Sequence, residues 1–245
     1  MILDAEPLTP HPHNPKAHRD ALKSDPAHAL TRAFANVDGE LNDADGIDIE
    51  YSGSTAVACV LRGSTLTTAW CGDSRAVLAR EVGGRMEVVA LTEDHKPDGA
   101  GERERIDEAG GRVARLQDEE GEEVGPHRVW LRYAWIPGLA MSRALGDALA
   151  HRVGVSSTPA ISTHQVTPAD RFLILASDGI WEFITNEEAV MIAAGCNSPD
   201  DAAAQLVSEA HSRWTKEEEG IVDDITVVVV AFSHRSQTEE VEVEA

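Results

Sequence analysis

Apolar residues in this chain follow two spacings, and the switch between them divides the sequence. Leu30, Ala33, Phe34, Val37 and Leu41 recur at helical spacing, and Asp25-Pro26 supplies an N-cap and a first-turn proline. A helix beginning at Pro26 is expected. From Ser54 the spacing shortens. Ala56 to Leu61, Thr65 to Trp70, Ala76 to Arg80 and Glu87 to Leu91 are short runs separated by glycine-containing turns, and they read as strands. Helical spacing returns from Glu102 to Ala109 and stops at Gly110-Gly111, as at a left-handed C-terminal cap. Further strands are expected around Arg112 and Arg128. Thr185 and Glu188 form a capping box for a helix ending near Gly195. Ser198-Pro199 opens another, reaching to about Glu217, with Ala203, Leu206, Val207 and Ala210 inward. Many short strands with a few amphipathic helices predict antiparallel sheet layers with helices outside.

Two apolar runs carry an extra signal. Phe172-Leu173-Ile174-Leu175-Ala176 leads into Ser177-Asp178-Gly179, and Val222-Asp223-Asp224 leads into a run from Ile225 to Phe232. Both read as buried strands with a carboxylate at one lip. A single such Asp is ordinarily a strand-end turn residue. Two of them brought together would offer the oxygen ligands that Mg²⁺ and Mn²⁺ prefer.

Composition narrows the classes. The chain has 245 residues, enough for one large domain or two small ones, and its core must be aliphatic because only 4% of residues are aromatic. Net charge is −22, so the surface field repels nucleic acid and anionic membrane, and neither is expected as a partner. The run Asp118 to Glu123 and the tail from Glu239 to Glu244 read as solvated, disordered charge. Cys59, Cys71 and Cys196 are an odd count without metal or redox spacing, which points to a reducing compartment, cytoplasmic or nuclear. There is no signal peptide, no long apolar span and no internal repeat. Residues 1–24 read as a loose segment. His11, His13 and His18 lie among prolines there and read as surface loop rather than a metal cluster.

A series of short segments then falls in order: Ser52-Gly53-Ser54-Thr55-Ala56, Gly72-Asp73-Ser74-Arg75-Ala76, Asp94-His95-Lys96-Pro97, and Glu102 to Ile106 with Ala109-Gly110-Gly111. Pro137-Gly138-Leu139-Ala140-Met141-Ser142-Arg143-Ala144-Leu145-Gly146-Asp147, Ser177-Asp178-Gly179-Ile180-Trp181 and Asp223-Asp224-Ile225-Thr226 follow. In this order they resemble the metal-dependent type 2C (PPM-type) protein serine/threonine phosphatases, from about Ala29 to Phe232. The resemblance implies an α+β fold, an antiparallel β-sandwich flanked by helices on both faces. It places the domain at 25–233, with an acidic tail at 234–245. It also implies a monomeric hydrolase of phosphoserine and phosphothreonine proteins that uses two or more Mg²⁺ or Mn²⁺ ions and a metal-held water. Asp178 and Asp223 match ligands of the first metal. Asp224 stands where Asn is usual. Asp73 matches a position serving a further metal, and so does Glu182, where Asp is more usual. Arg143 and Asp147 read either as groups beside the metals or as a buried ion pair fixing a turn. Asp94-His95-Lys96 is architectural in the family, and His95 reads as a satisfied structural histidine.

The family's N-terminal portion carries a phosphate-gripping Arg and an Asp-Gly-His-Gly-Gly type segment, and neither is found here. An N-terminally truncated domain is therefore expected, with weakened catalysis and uncovered strands. The alternative from another class is a catalytically inactive relative that binds phosphoproteins or a partner through the same cleft. An unrelated β-sandwich holding Ca²⁺ at strand ends is a third possibility.

Overall fold

A computed structural model describes residues 15–218 and 221–233. Chain order is α1 (Pro15–Ser24), α2 (Pro26–Asn42), β1 (Gly53–Ser54), β2 (Ala56–Arg62), β3 (Thr65–Cys71), β4 (Arg75–Val82), β5 (Arg85–Ala90), α3 (Glu102–Glu108), β6 (Gly111–Gln117) and β7 (Glu123–Leu131). It continues with β8 (Pro137–Leu139), β9 (Leu145–Gly146), α4 (Ala148–His151), β10 (Ala160–Gln165), β11 (Asp170–Ala176), α5 (Asp178–Trp181), α6 (Asn186–Ala194), α7 (Pro199–Glu217) and β12 (Val227–Ala231).

Strand alternation explains the layers. One sheet has the order β12-β11-β4-β5 and a second β10-β3-β2, all neighbours antiparallel. Successive side chains of a strand point to opposite faces. Ala76 and Leu78 of β4 and Leu173 of β11 therefore meet Leu66 of β3 between the sheets, with Val57 and Cys59 packed alongside. The alternate residues Val77, Ala79, Ile174 and Ala176 face outward and are covered by α5, α6 and α7 through Ile180, Val190 and Leu206. Ala69 and Cys71 of β3 face outward on the other side, against Leu30 and Phe34 of α2. The result is a helix–sheet–sheet–helix α+β sandwich. A lobe beside it joins β6-β7-β8 to α3 and α4 around Ile106, Val113 and Val129.

Sequence punctuation fixes the helix ends. Asp25 caps α2 by accepting from His28 N–H, Thr185 and Glu188 form the reciprocal box on α6, and Ser198 caps α7. Buried faces depart from the expected ones in two helices. In α7 the inward stripe is Ala202, Leu206 and Ala210, one residue earlier than the Ala203/Val207 register, and Val207 is 36% exposed. In α2, Leu30 and Phe34 suffice against the narrow face of β3, which leaves Ala33 and Val37 outside.

Other differences have local causes. Residues 15–24 form a helix rather than a loose segment, because Pro15 stands at its first position, where no backbone N–H is needed. His11 and His13, and the side chain of His18, lie outside the described residues, as do residues 234–245. The acidic run after β6 is an ordered hairpin turn: Asp118 Oδ1 accepts from the N–H groups of Glu120 and Glu122. No helix among the described residues is long and apolar enough to cross a membrane.

Candidate metal centre

Register places the candidate carboxylates. In the first sheet Ala176 of β11 pairs with Arg75 of β4 on one side and with Val227 of β12 on the other. Asp73 precedes Arg75 by two residues, Asp178 follows Ala176 by two, and Asp223 lies just before β12. Three adjacent strands thus deliver Asp73, Asp178 and Asp223 to the same end of one sheet, with Asp178 between the others.

Each carrier is held tightly. Gly72 turns the chain from β3 into β4 at φ 101°, and a Cβ there would lie 2.3 Å from the Thr55 methyl. The short helix α5, which starts at Asp178, hangs from two indoles: Trp181 Nε1 donates to Ala176 O, and Trp214 Nε1 donates to Gly179 O, each at 2.8 Å. Ser177 stitches the two strand ends together. Its N–H donates to Thr226 O, its hydroxyl donates to Asp224 O, and that hydroxyl accepts from Thr226 N–H. A Cβ on Gly179 would lie 2.4 Å from Asp224 O, so only glycine lets this segment close against α5.

The electrostatics follow from the crowding. Asp178 is pushed up to about 6, first by burial and then by the negative charges of Asp73 and Asp223, with Lys96 pulling the other way. Asp73 is 2% exposed; its Oδ2 accepts from Lys96 Nζ at 2.5 Å, and its Oδ1 is buried with no hydrogen-bond partner among the described residues. Asp223 is exposed and accepts from the Asp224 N–H. Glu182 is also exposed; its N–H donates to Asp178 O one turn along, and its charge acts on Arg75.

Mutually repelling carboxylates with a buried, unpartnered oxygen are the donor chemistry a hard divalent cation would satisfy. Asp73, Asp178 and Asp223 bring donor groups of that kind to one sheet end. They are not drawn into a closed cage: among the described residues no three His, Cys, Asp or Glu side chains are gathered tightly enough to hold a metal.

Arg143 and Asp147 lie in other networks and do not pair with each other. Arg143 gives Nε and Nη2 to Glu102 and Nη1 to Thr158 O, while Glu102 also receives Arg105 and the Ser142 hydroxyl. Asp147 is buried against Gly53 in the left-handed region at φ 47°, and burial raises its pKa.

Sequence reasoning missed what the 94–96 segment does in detail. Three consecutive side chains clasp the Gly72–Arg75 turn: Asp94 takes Arg75 bidentately at 2.6 and 2.9 Å, His95 Nδ1 accepts from Gly72 N–H at 3.1 Å, and Lys96 takes Asp73. Nothing local in the sequence signals this clasp, because β4 and β5 separate the turn from residues 94–96. His95 is 6% exposed and stacks on Trp70 with ring centroids 5.7 Å apart. Burial and then the charge of Arg143 lower its pKa to about 4, so the folded ring is neutral. An unfolded histidine protonates near pH ~6.5. The contribution of His95 to stability is therefore complete above that pH and declines as the pH falls toward 4. Urea denaturation across this range is expected to show such a decline, and His95→Gln is expected to flatten it while lowering stability at pH 7.

With this geometry in place, the comparisons are specific. The family model described as Protein phosphatase 2C matches residues 6–218. The chain is 44% identical over 206 residues to "Probable protein phosphatase 2C 48" of Oryza sativa subsp. japonica, covering 82% of this chain and 57% of that protein. It is 43% identical over 206 residues to "Probable protein phosphatase 2C 73" of Arabidopsis thaliana, covering 84% and 54%. Among solved structures it is similar to the serine-threonine phosphatase 2C from Toxoplasma gondii, with TM-score 0.76 and 26% identity, covering 91% of this chain and 72% of that one. The chain spans a little over half the length of these curated relatives.

Proposed function

The chain belongs to the protein phosphatase 2C family, and on that premise we propose that it serves as a metal-dependent protein serine/threonine phosphatase, acting on intracellular phosphoserine and phosphothreonine proteins. The observation that carries this reading is the delivery of Asp73, Asp178 and Asp223 to one sheet end by the register of β4, β11 and β12. Asp178 and Asp223 are the residues that would hold a Mg²⁺ or Mn²⁺ ion, with Asp73 beside them. A bound divalent cation there would neutralise charge on the phosphoryl group and acidify water near it.

The chain's own residues do the positioning. The Ser177 stitch and the two indole hydrogen bonds fix Asp178 relative to Asp223 before any ion arrives. Arg75, locked on Asp94 and also donating to Asn186 Oδ1, holds β4 and the Gly72–Arg75 turn in place. Glu182 is the C-cap of α5, where its exposed carboxylate could face an additional ion.

A second reading is favoured by one observation: no three ligand side chains close into a cage among the described residues. That would suit a phosphoprotein-binding relative without catalysis. Hydrolysis of a phosphothreonine peptide with and without Mn²⁺ separates the two. Mn²⁺-dependent phosphate release supports the phosphatase. Peptide binding without release, in the presence of Mn²⁺, supports the binding module.

A further inference from the structure

One residue of the clasp on the Gly72–Arg75 turn also sets a positive charge against the strand-end carboxylates. Lys96 places its ammonium 2.5 Å from Asp73 Oδ2, yet the two ends of this pair differ sharply in exposure, at 38% for the lysine side chain and 3% for the aspartate. The neighbouring pair is built otherwise. Arg75 grips Asp94 with two parallel hydrogen bonds and Asn186 with a third, so it has no freedom to leave. The Lys96 ammonium makes one hydrogen bond among the described residues, on a flexible stem, and its side chain is 38% exposed.

The setting explains why a detachable cation belongs there. Asp178 lies within electrostatic reach of both Asp73 and Asp223, and Lys96 is the counter-charge that opposes them. Asp73 keeps one oxygen buried and unpartnered even with Lys96 in place, so the lysine satisfies only half of that carboxylate. A divalent ion would satisfy more of it and carries twice the charge.

Resting on the metal reading above, we propose that Lys96 is a built-in competing cation. In the metal-free chain it neutralises Asp73 and allows three carboxylates to share one sheet end. A bound divalent ion would compete with the ammonium for Asp73 and would release Lys96 toward water. Lys96 is thus a positioning residue that sets the threshold for metal binding, stabilising the unloaded site and weakening the loaded one.

The test is calorimetric titration of Mn²⁺ into the chain and its Lys96→Met and Lys96→Arg variants, with melting temperatures in EDTA. Lys96→Met is expected to melt lower in EDTA and to bind Mn²⁺ about tenfold more tightly, because a like charge a few ångströms from the ion is gone. Lys96→Arg keeps the charge and the fold, grips Asp73 with a fork, and is expected to bind Mn²⁺ more weakly than the parent. If Lys96→Met binds Mn²⁺ no better than the parent while melting lower, or Lys96→Arg binds it as well as the parent, Lys96 is a strut and the proposal is overturned. If neither parent nor variants bind Mn²⁺, the metal reading itself fails and takes this proposal with it.

Discussion

Asp178→Asn is expected to move stability and activity in opposite directions. In EDTA the variant should melt higher than the parent, because the replacement removes the central of three crowded carboxylates and keeps the shape of the side chain. Burial first, and then the charges of Asp73 and Asp223, raise the Asp178 pKa to about 6, so its charge is unwelcome until something positive is bound. With Mn²⁺ the ordering reverses. Losing the central ligand should weaken Mn²⁺ binding and reduce Mn²⁺-dependent phosphopeptide hydrolysis by about 4 kcal/mol of barrier, roughly 10³-fold. A residue that destabilises its own fold in order to serve a site is a familiar trade-off. Differential scanning fluorimetry in EDTA and an initial-rate assay check the two halves separately. A variant that melts lower in EDTA would show that Asp178 is a structural turn residue.

The second large effect is purely structural. Glu102→Ala is expected to destabilise the protein by about 3–5 kcal/mol, the cost of leaving buried partners of an ion pair uncompensated. Glu102 is 8% exposed and receives bidentate bonds from Arg105 at 2.8 and 2.9 Å, further bonds from Arg143, and the Ser142 hydroxyl at 2.5 Å. Arg105 also donates to Gly154 O and Ser142 O, and Arg143 to Thr158 O. One carboxylate therefore ties α3 to the segment after β8 and to the approach to β10. Removing it leaves two guanidinium groups facing each other in a poorly solvated space. For a chain of this size the melting temperature should fall by roughly 2–4 °C per kcal/mol. Glu102→Gln keeps the shape without the charge and should lie between parent and Glu102→Ala. A loss below about 1 kcal/mol, typical of a surface pair, would contradict this assignment.

How far the sequence disclosed these features depended on whether a contact is local or distant. Caps are local, so Asp25, Thr185 with Glu188, and Ser198 announced their helices in advance. Short apolar runs between glycines announced the strands. The sandwich layering was implied by family resemblance, and alternation along β4 and β11 accounts for it residue by residue. Burial of a helix face was less legible, because it depends on how much surface the neighbour offers. That is why Val37 and Val207 project outward despite suitable spacing.

The same contrast governs the site. Asp73, Asp178 and Asp223 could be named from motifs, whereas their arrival at one sheet end is a fact of strand register. Arg143 could be marked as a candidate for a buried pair, but its partner Glu102 lies 41 residues earlier, and nothing local distinguishes that from a pair with Asp147. The clasp of Asp94, His95 and Lys96 on the Gly72–Arg75 turn was invisible for the same reason. Its members contact residues across β4 and β5, so only the folded chain shows which side chain meets which.

The strand-end aspartates are expected to bind a divalent metal ion. Crystals of the chain soaked in Mn²⁺, with anomalous diffraction recorded near the manganese edge, test that expectation most directly. An anomalous peak is expected within coordination reach of the Asp178 and Asp223 carboxylates, with Lys96 drawn away from Asp73. A saturating soak with no peak at that sheet end, or with manganese bound only elsewhere, would contradict it.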